Sequence, residues 1–229
     1  MLLINMETLN DNLLRCVPVH VWAKWQNPSQ RELLLKKREK PLAILFADIE
    51  GCTRLCEDLP SREMNLLIET YFSRFFEVIE EAGGTVNEIM GDGFMAVFEE
   101  NDLPKNILAA SIAALNIQRH ANELNIQRLK EYEPVSVNIG IHAGSAFVGF
   151  TKFRTSAGER WTYTASGTVT NIAARLCALA INGAILVSDA VAEIIKGLYA
   201  LHPLGQQKLK NVSQPVFIFK IKQSTTTNI

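Results

Sequence analysis

The sequence predicts an α+β fold around one antiparallel-rich sheet, and three observations carry that prediction. The apolar run LAILFA at 42–47 has the length and composition of a buried strand and stops at Asp48. Two short apolar segments, 85–90 and 94–98, flank Gly91-Asp92-Gly93 and read as a tight β-hairpin, because glycine on each side of the aspartate tolerates positive φ. Around them, segments of helical periodicity alternate with further strand pairs, so hairpins and crossover helices mix in one chain.

Taken in order, residues 1–40 differ from the rest. They hold Trp22 and Trp25 and end in RELLLKKREK, whose interleaved charges predict an exposed helix running up to Pro41. This stretch is expected to be an N-terminal helical appendage, too short to form a sensor domain. Residues 41–222 are expected to form a single domain. A strand at 42–49 runs into Asp-Ile-Glu-Gly-Cys-Thr, where a helix is expected to start with the backbone N–H groups of Ile49 to Thr53 facing an anion. A long amphipathic helix follows at 61–81, with Tyr71, Phe72, Phe75, Phe76 and Ile79 at mostly helical spacing, and Gly83-Gly84 ends it. After the hairpin at 85–98 comes a helix at 104–129 that opens on Pro104. Strands at 135–141 and 146–150 enclose His142-Ala-Gly-Ser, and the polar stretch TKFRTSAGER at 151–160 reads as a mobile loop. A strand at 161–165, a helix at 169–181 stopped by Asn182-Gly183, a strand at 184–187 and a helix at 189–197 come next. Two strands at 199–209 and 215–222 finish the domain, and the tail 223–229 is expected to fray.

Composition narrows the function classes. At 229 residues and 48% apolar content, the chain has ample material for one core. Its net charge of −1, with basic and acidic residues interspersed, gives no footprint for nucleic acid. No apolar run approaches the ~20 residues that span a bilayer, and the start MLLINMETLNDN has no secretory pattern. A cytoplasmic protein without membrane insertion is expected. Cys16, Cys52, Cys56 and Cys177 form no Cys-x-x-Cys pair and read as reduced thiols used for packing. Neither G-x-x-x-x-G-K nor G-x-G-x-x-G occurs, so no kinase-type phosphate loop is present.

Asp48 and Asp92 each stand where a strand stops. If the two strands are neighbours, the carboxylates can jointly hold a pair of Mg²⁺ or Mn²⁺ ions, which take oxygen ligands and bind substrate phosphates. Separately, one reads as a turn former and the other as a helix N-cap.

Five blocks in one order carry a specific resemblance: LFADIEGCTRL (45–55), EIMGDGFMAVF (88–98), NIGIHAGSAFVG (138–149), GTVTNIAARL (167–176) and GAILVSDA (183–190). Residues 42–222 resemble the catalytic domain of the class III nucleotide cyclases, the adenylate and guanylate cyclase family. The resemblance implies a ferredoxin-like core and a head-to-tail homodimer with composite sites at the interface. It implies two divalent metal ions on Asp48, Asp92 and the Ile49 carbonyl, with the backbone of Gly51, Cys52 and Thr53 against phosphate. It also implies that Asn171 and Arg175, from the opposite subunit, orient the ribose and stabilise charge on the α-phosphate. Their spacing of four puts both side chains on one helix face, and arginine offers phosphate a rigid fork. Lys210 lies near the family's lysine for the terminal phosphates, with Lys208 adjacent on the same strand face. The implied reaction is attack of the ribose 3′-hydroxyl on the α-phosphorus of a nucleoside triphosphate, giving a 3′,5′-cyclic nucleotide for a downstream effector, and pyrophosphate. His142 reads as a structural residue.

The family reads the base at two positions that match Glu88 and Thr164 here. Adenylate cyclases typically carry Lys with Asp or Thr there, and guanylate cyclases Glu with Cys; Glu88 with Thr164 matches neither pair. An ionised carboxylate only accepts hydrogen bonds, so Glu88 suits guanine or uracil, which offer N–H, over adenine, whose N1 is itself an acceptor. Resemblance to the small pyrimidine cyclases of bacterial antiviral defence favours UTP narrowly over GTP, with ATP third on chemistry but first on family frequency. A catalytically inactive cyclase-like dimerisation module is the reading of another class. It fits less well, because both aspartates, Asn171 and Arg175 are all retained. A diguanylate cyclase relative is disfavoured by the hairpin tip, which reads GDGF where that family has Gly-Gly-Asp-Glu-Phe.

Overall fold

The structure is a computed structural model and describes residues 21, 25–52, 55, 59–128, 134–156 and 158–222. Most of the 1–27 stretch, Thr53, Cys16, Cys56 and the 223–229 tail lie outside the described residues.

Helix α1 (Pro28–Leu35) starts on two local signals. Asn27 Oδ1 accepts from the N–H groups of Ser29 (3.0 Å) and Gln30 (3.4 Å), and Pro28 sits in the first turn, where no N–H is needed. The predicted continuation up to Pro41 does not occur. Strand β1 (Arg38–Ile49) begins at Arg38, because residues 38–42 pair antiparallel with Val148 to Gly144. A long-range strand partner overrides the local charge pattern, as tertiary context commonly does with propensity.

From β1 the chain runs through α2 (Ser61–Glu81), β2 (Thr85–Met90), β3 (Gly93–Phe98), α3 (Leu103–Arg128) and β4 (Val137–Thr155). This is a βαββαβ unit with antiparallel strand order β2-β3-β1-β4, which is the ferredoxin-like arrangement. After β4 come β5 (Gly158–Ser166), α4 (Thr168–Leu179), β6 (Ile185–Ser188), α5 (Asp189–Ile195), β7 (Leu201–Gln207) and β8 (Val216–Ile221). They extend the sheet as β4-β6-β8-β7, with β4–β6 parallel and β5 paired to β4 alone.

Two predicted breaks are absent. His142-Ala-Gly-Ser lies inside the continuous 19-residue β4, not between two strands, since Ala143 and Gly144 pair with Ala43 and Leu42. The stretch 151–160, read as a loop, forms a two-stranded ribbon in which Thr151 to Thr155 pair with Thr162 to Gly158. Apart from exposed Phe153 its side chains are mostly small or polar, as suits a solvated ribbon, and Lys152 Nζ meets Glu159 Oε1 across it at 2.6 Å. An exposed ladder defined by backbone hydrogen bonds carries no hydrophobic period to read.

The two sheet faces have separate cores. Odd-numbered β1 residues (Ala43, Leu45, Ala47, Ile49) pack with α2, α3 and α5, where Phe72, Phe75 and Phe76 meet Phe94 edge-on or tilted. Even-numbered Leu42, Ile44 and Phe46 pack with Val169, Ala173 and Cys177 of α4 and with Val21 and Leu34 from the N-terminal segment. Gly140 sets how closely α4 lies on the sheet, because a Cβ there would stand 2.1 Å from Cys177 N and 2.4 Å from Ala173 O. Both obstacles are helix backbone, so Gly140→Ala should destabilise the fold by about 3 kcal/mol, read as a lowered urea midpoint at unchanged m-value.

Candidate functional site

β1 delivers Asp48 at its end, continuing the row of Leu42, Ile44 and Phe46, while the β2–β3 turn delivers Asp92. Asp48 pairs with Gly93 in the ladder, and the Ile49 N–H donates to the Asp92 carbonyl at 2.9 Å. The two aspartates predicted to meet are therefore fixed side by side by backbone bonds. Burial, and then the charge of Asp92, push the Asp48 carboxyl up to about 6. Gly91 adopts the positive φ expected of it, +70°. Gly93 does not, and its role is different from the prediction: a Cβ there would lie 2.8 Å from Asp48 Oδ1 and 3.0 Å from Ala47 O. Glycine at this position leaves room for the carboxylate.

Two of the N–H groups expected to face an anion are bonded within the protein. The N–H groups of Ile49 and Glu50 are taken, by Asp92 O and by Ser136 O at 2.9 Å each. These bonds close the sheet end around the carboxylates and remove two donors from the expected set. Gly51 follows with φ +72°, and its carbonyl accepts from Leu55 N at 3.0 Å, which is the first helical turn. Cys52 is buried at its start.

On α4, Val169, Ala173 and Cys177 face one core cluster and Ile172 and Leu176 another, so Asn171 and Arg175 are left on the outer side. Asn171 is exposed and Arg175 half-buried. Lys208 and Lys210 do not share a strand face. β7 ends at Gln207, and both lysines are exposed around buried Leu209 in the following turn, because the 199–209 prediction ran past the strand.

Glu88 and Thr164 come together within one chain: Thr164 Oγ1 donates to Glu88 Oε1 at 2.5 Å. Glu88 follows a β-bulge between Val86 and Glu88, and bulged Asn87 holds its Oδ1 buried with no hydrogen-bond partner in its protein surroundings. Sequence reasoning passed over Asn87, since a bulge is set by ladder register. His142 keeps its structural role. Its Nδ1 lies 2.6 Å from Ser188 Oγ, and burial pulls the imidazole down to about 4, so it is neutral at physiological pH. Cys177, whose Sγ points to Asn138 O at 3.4 Å, is held as a thiol by burial and by Asp48, which push it up to about 12. Among the described residues no cluster of three or more His, Cys, Asp or Glu side chains forms, and no helix is long and apolar enough to cross a membrane.

A ferredoxin-like antiparallel sheet with paired carboxylates at one strand end and the adjacent hairpin tip is the architecture of the nucleotide cyclases. The family profile for the adenylate and guanylate cyclase catalytic domain matches residues 34–223, and the chain belongs to that family. The adenylate cyclase of Anabaena cylindrica is 27% identical over 187 residues, which cover 79% of this chain and 36% of that protein. The adenylyl cyclase CyaB of P. aeruginosa superposes with a TM-score of 0.77 at 28% identity, over 84% of this chain and 98% of that one. The guanylyl cyclase Cya2 gives 0.71 at 27% identity, over 82% and 94%. The chain spans about a third of the length of the curated relatives it matches.

Proposed function

We propose that the protein is a cytoplasmic nucleotidyl cyclase acting on a nucleoside triphosphate whose base carries a ring N–H. The 3′-hydroxyl attacks the α-phosphorus, its proton leaves to solvent, and the bond to the β-phosphate oxygen breaks to release pyrophosphate. The observation that carries this reading is the Asp48–Asp92 pair. Two carboxylates fixed side by side by backbone bonds at a half-buried strand end disfavour joint ionisation, which a divalent cation shared between them would offset. The site's donors, two carboxylates and the Ile49 carbonyl, are all oxygen and suit Mg²⁺ or Mn²⁺. Class III cyclases use divalent metals, which when bound acidify the attacking hydroxyl and offset charge on the phosphates. Arg175 would brace the α-phosphate and Asn171 the ribose, reaching outward from α4 of one protomer to the aspartates of its partner. Lys210 would serve the terminal phosphates from its exposed turn, with the backbone of Gly51 and Cys52 against them.

The hydrogen bond of Thr164 to Glu88 orders the substrates. Thr164 Oγ1 lies 2.5 Å from Glu88 Oε1 and 3.2 Å from Ala165 O, and with its one proton on the nearer, charged oxygen the pair presents acceptors. The guanine N1–H and N2–H₂ edge satisfies two acceptors at once. Uracil needs its N3–H on Glu88 and the Thr164 hydroxyl turned towards O4. Adenine sets its N1 lone pair against a carboxylate, at a cost of about 1–3 kcal/mol. GTP therefore moves ahead of UTP, the substrate narrowly favoured from sequence, while the adenylate cyclase relatives keep ATP in the test. The test is protein with Mn²⁺ and each of ATP, GTP, CTP and UTP, products separated against cyclic nucleotide standards. Cyclic GMP or cyclic UMP is expected to dominate, and Glu88→Lys should shift kcat/KM towards ATP by about tenfold or more. A dominant cyclic AMP peak from the unaltered protein would refute the base reading, and no product from any triphosphate the cyclase reading.

A further inference from the structure

We propose that Lys40, Glu99 and Tyr163 form a buried latch that holds strand β5, and with it Thr164, at the distance from Glu88 that base selection requires. The inference rests on Glu88 and Thr164 being the base-contacting pair and adds three positioning residues to it.

β5 has β4 as its strand partner and lies off the main path of the sheet. A two-stranded ribbon of this kind twists and swings more freely than a strand paired on both edges. The ladder to β4 fixes the register of β5, but not its approach to β2 and β3. Two side-chain tethers from adjacent residues supply that. Thr164 reaches Glu88 in β2, and the Tyr163 hydroxyl donates to Glu99 Oε1, just beyond β3, at 2.9 Å. The tethers thus grip both strands of the hairpin whose tip carries Asp92.

Glu99 is itself anchored. Lys40 Nζ donates to Glu99 Oε2 at 2.9 Å and to the Glu99 carbonyl at 3.2 Å, with the two side chains only 12% and 11% exposed. Tyr163 is 7% exposed. Its ring is wedged edge-on against Phe150 at 5.3 Å, and Phe150 against Trp25 at 5.3 Å, so the aromatic body cannot drift while the hydroxyl is held. A nearly buried ion pair contributes little net stability over apolar residues of the same volume, while the directed bonds of Lys40 and Tyr163 to Glu99 favour one arrangement. That property suits a positioning device. The latch lies on β1, β5 and the end of β3, outside the carboxylate pair itself.

The experiment compares kcat/KM for GTP, UTP and ATP in Tyr163→Phe, Thr164→Ala, the double variant of these two and Glu88→Ala, with circular dichroism to confirm folding. Tyr163→Phe removes one oxygen and keeps the ring. It should lower discrimination between the preferred triphosphate and ATP about tenfold, mainly through KM, because a hydrogen bond to a charged group is lost. Thr164→Ala should lower the same ratio, and the double variant should be no worse than Thr164→Ala alone, as expected for residues acting through one another. Should Tyr163→Phe not fold, Glu99→Gln, which keeps the shape and removes the shared charge, carries the same expectation. If Thr164→Ala lowers discrimination while Tyr163→Phe leaves it intact, or if the two losses add, the latch is overturned and the base pair stands. If neither Thr164→Ala nor Glu88→Ala alters discrimination, the base reading falls and takes the latch with it.

Discussion

Asp48→Asn should abolish cyclisation while making the metal-free protein more stable. The activity loss is expected at about 10³-fold or more, since one of two carboxylates that would hold the ions becomes neutral. The stability gain follows from the environment of Asp48. Its carboxyl is raised from 3.8 to about 6 by burial and by Asp92, so the ionised form is the disfavoured one in the folded chain. Between pH 4 and pH 6 the folded protein keeps a proton that the unfolded chain has released, and folding weakens as pH rises through that window. Above it the full penalty is present. Asparagine keeps the shape and removes the penalty. The variant should therefore melt higher than the unaltered protein at pH 8 in EDTA, with the difference vanishing near pH 4. Added Mn²⁺ should raise the melting temperature of the unaltered protein and leave that of the variant nearly unchanged. Equal melting curves at pH 8 in EDTA would overturn the ionisation penalty, and equal Mn²⁺ shifts would remove Asp48 from the proposed metal site.

The pattern of what was legible follows from which forces leave a local trace. The run at 42–47 and the Gly-Asp-Gly turn announce themselves because burial and positive φ restrict residue choice at the position concerned. The helix bearing Asn171 and Arg175 was equally readable, since its buried residues repeat every three or four. Features fixed by a distant partner left no such trace. β1 begins at Arg38 because β4 is there to pair with it, and 151–160 becomes a ribbon through backbone bonds that polar side chains do not advertise. The role of Gly93 was misassigned for the same reason: its missing Cβ matters to Asp48, forty-five residues earlier in the chain. The charge pattern places Lys40 in an exposed helix and passes over Glu99, and nothing in their neighbours reveals that they are nearly buried against each other.

Mixing Asp48→Ala with Arg175→Ala should restore activity that neither variant has alone. Asp48 closes the end of β1, whereas Arg175 stands on the outer side of α4, whose buried residues are committed to the core of its own protomer. If each site takes its aspartates from one chain and its arginine from the other, the homodimer of either variant has two broken sites. A mixed dimer has one site carrying both lesions and one carrying none. Random re-pairing of equal amounts makes half the dimers mixed, so about a quarter of the unaltered activity should return, by the counting that two-fold symmetry imposes. The readout is cyclic nucleotide formed after co-expression with two different affinity tags and tandem purification, which isolates the mixed dimer and doubles the expected recovery to about half. Mixed dimers recovered intact yet inactive would mean that Arg175 serves the aspartates of its own chain, and the site would then have to be rebuilt within one protomer.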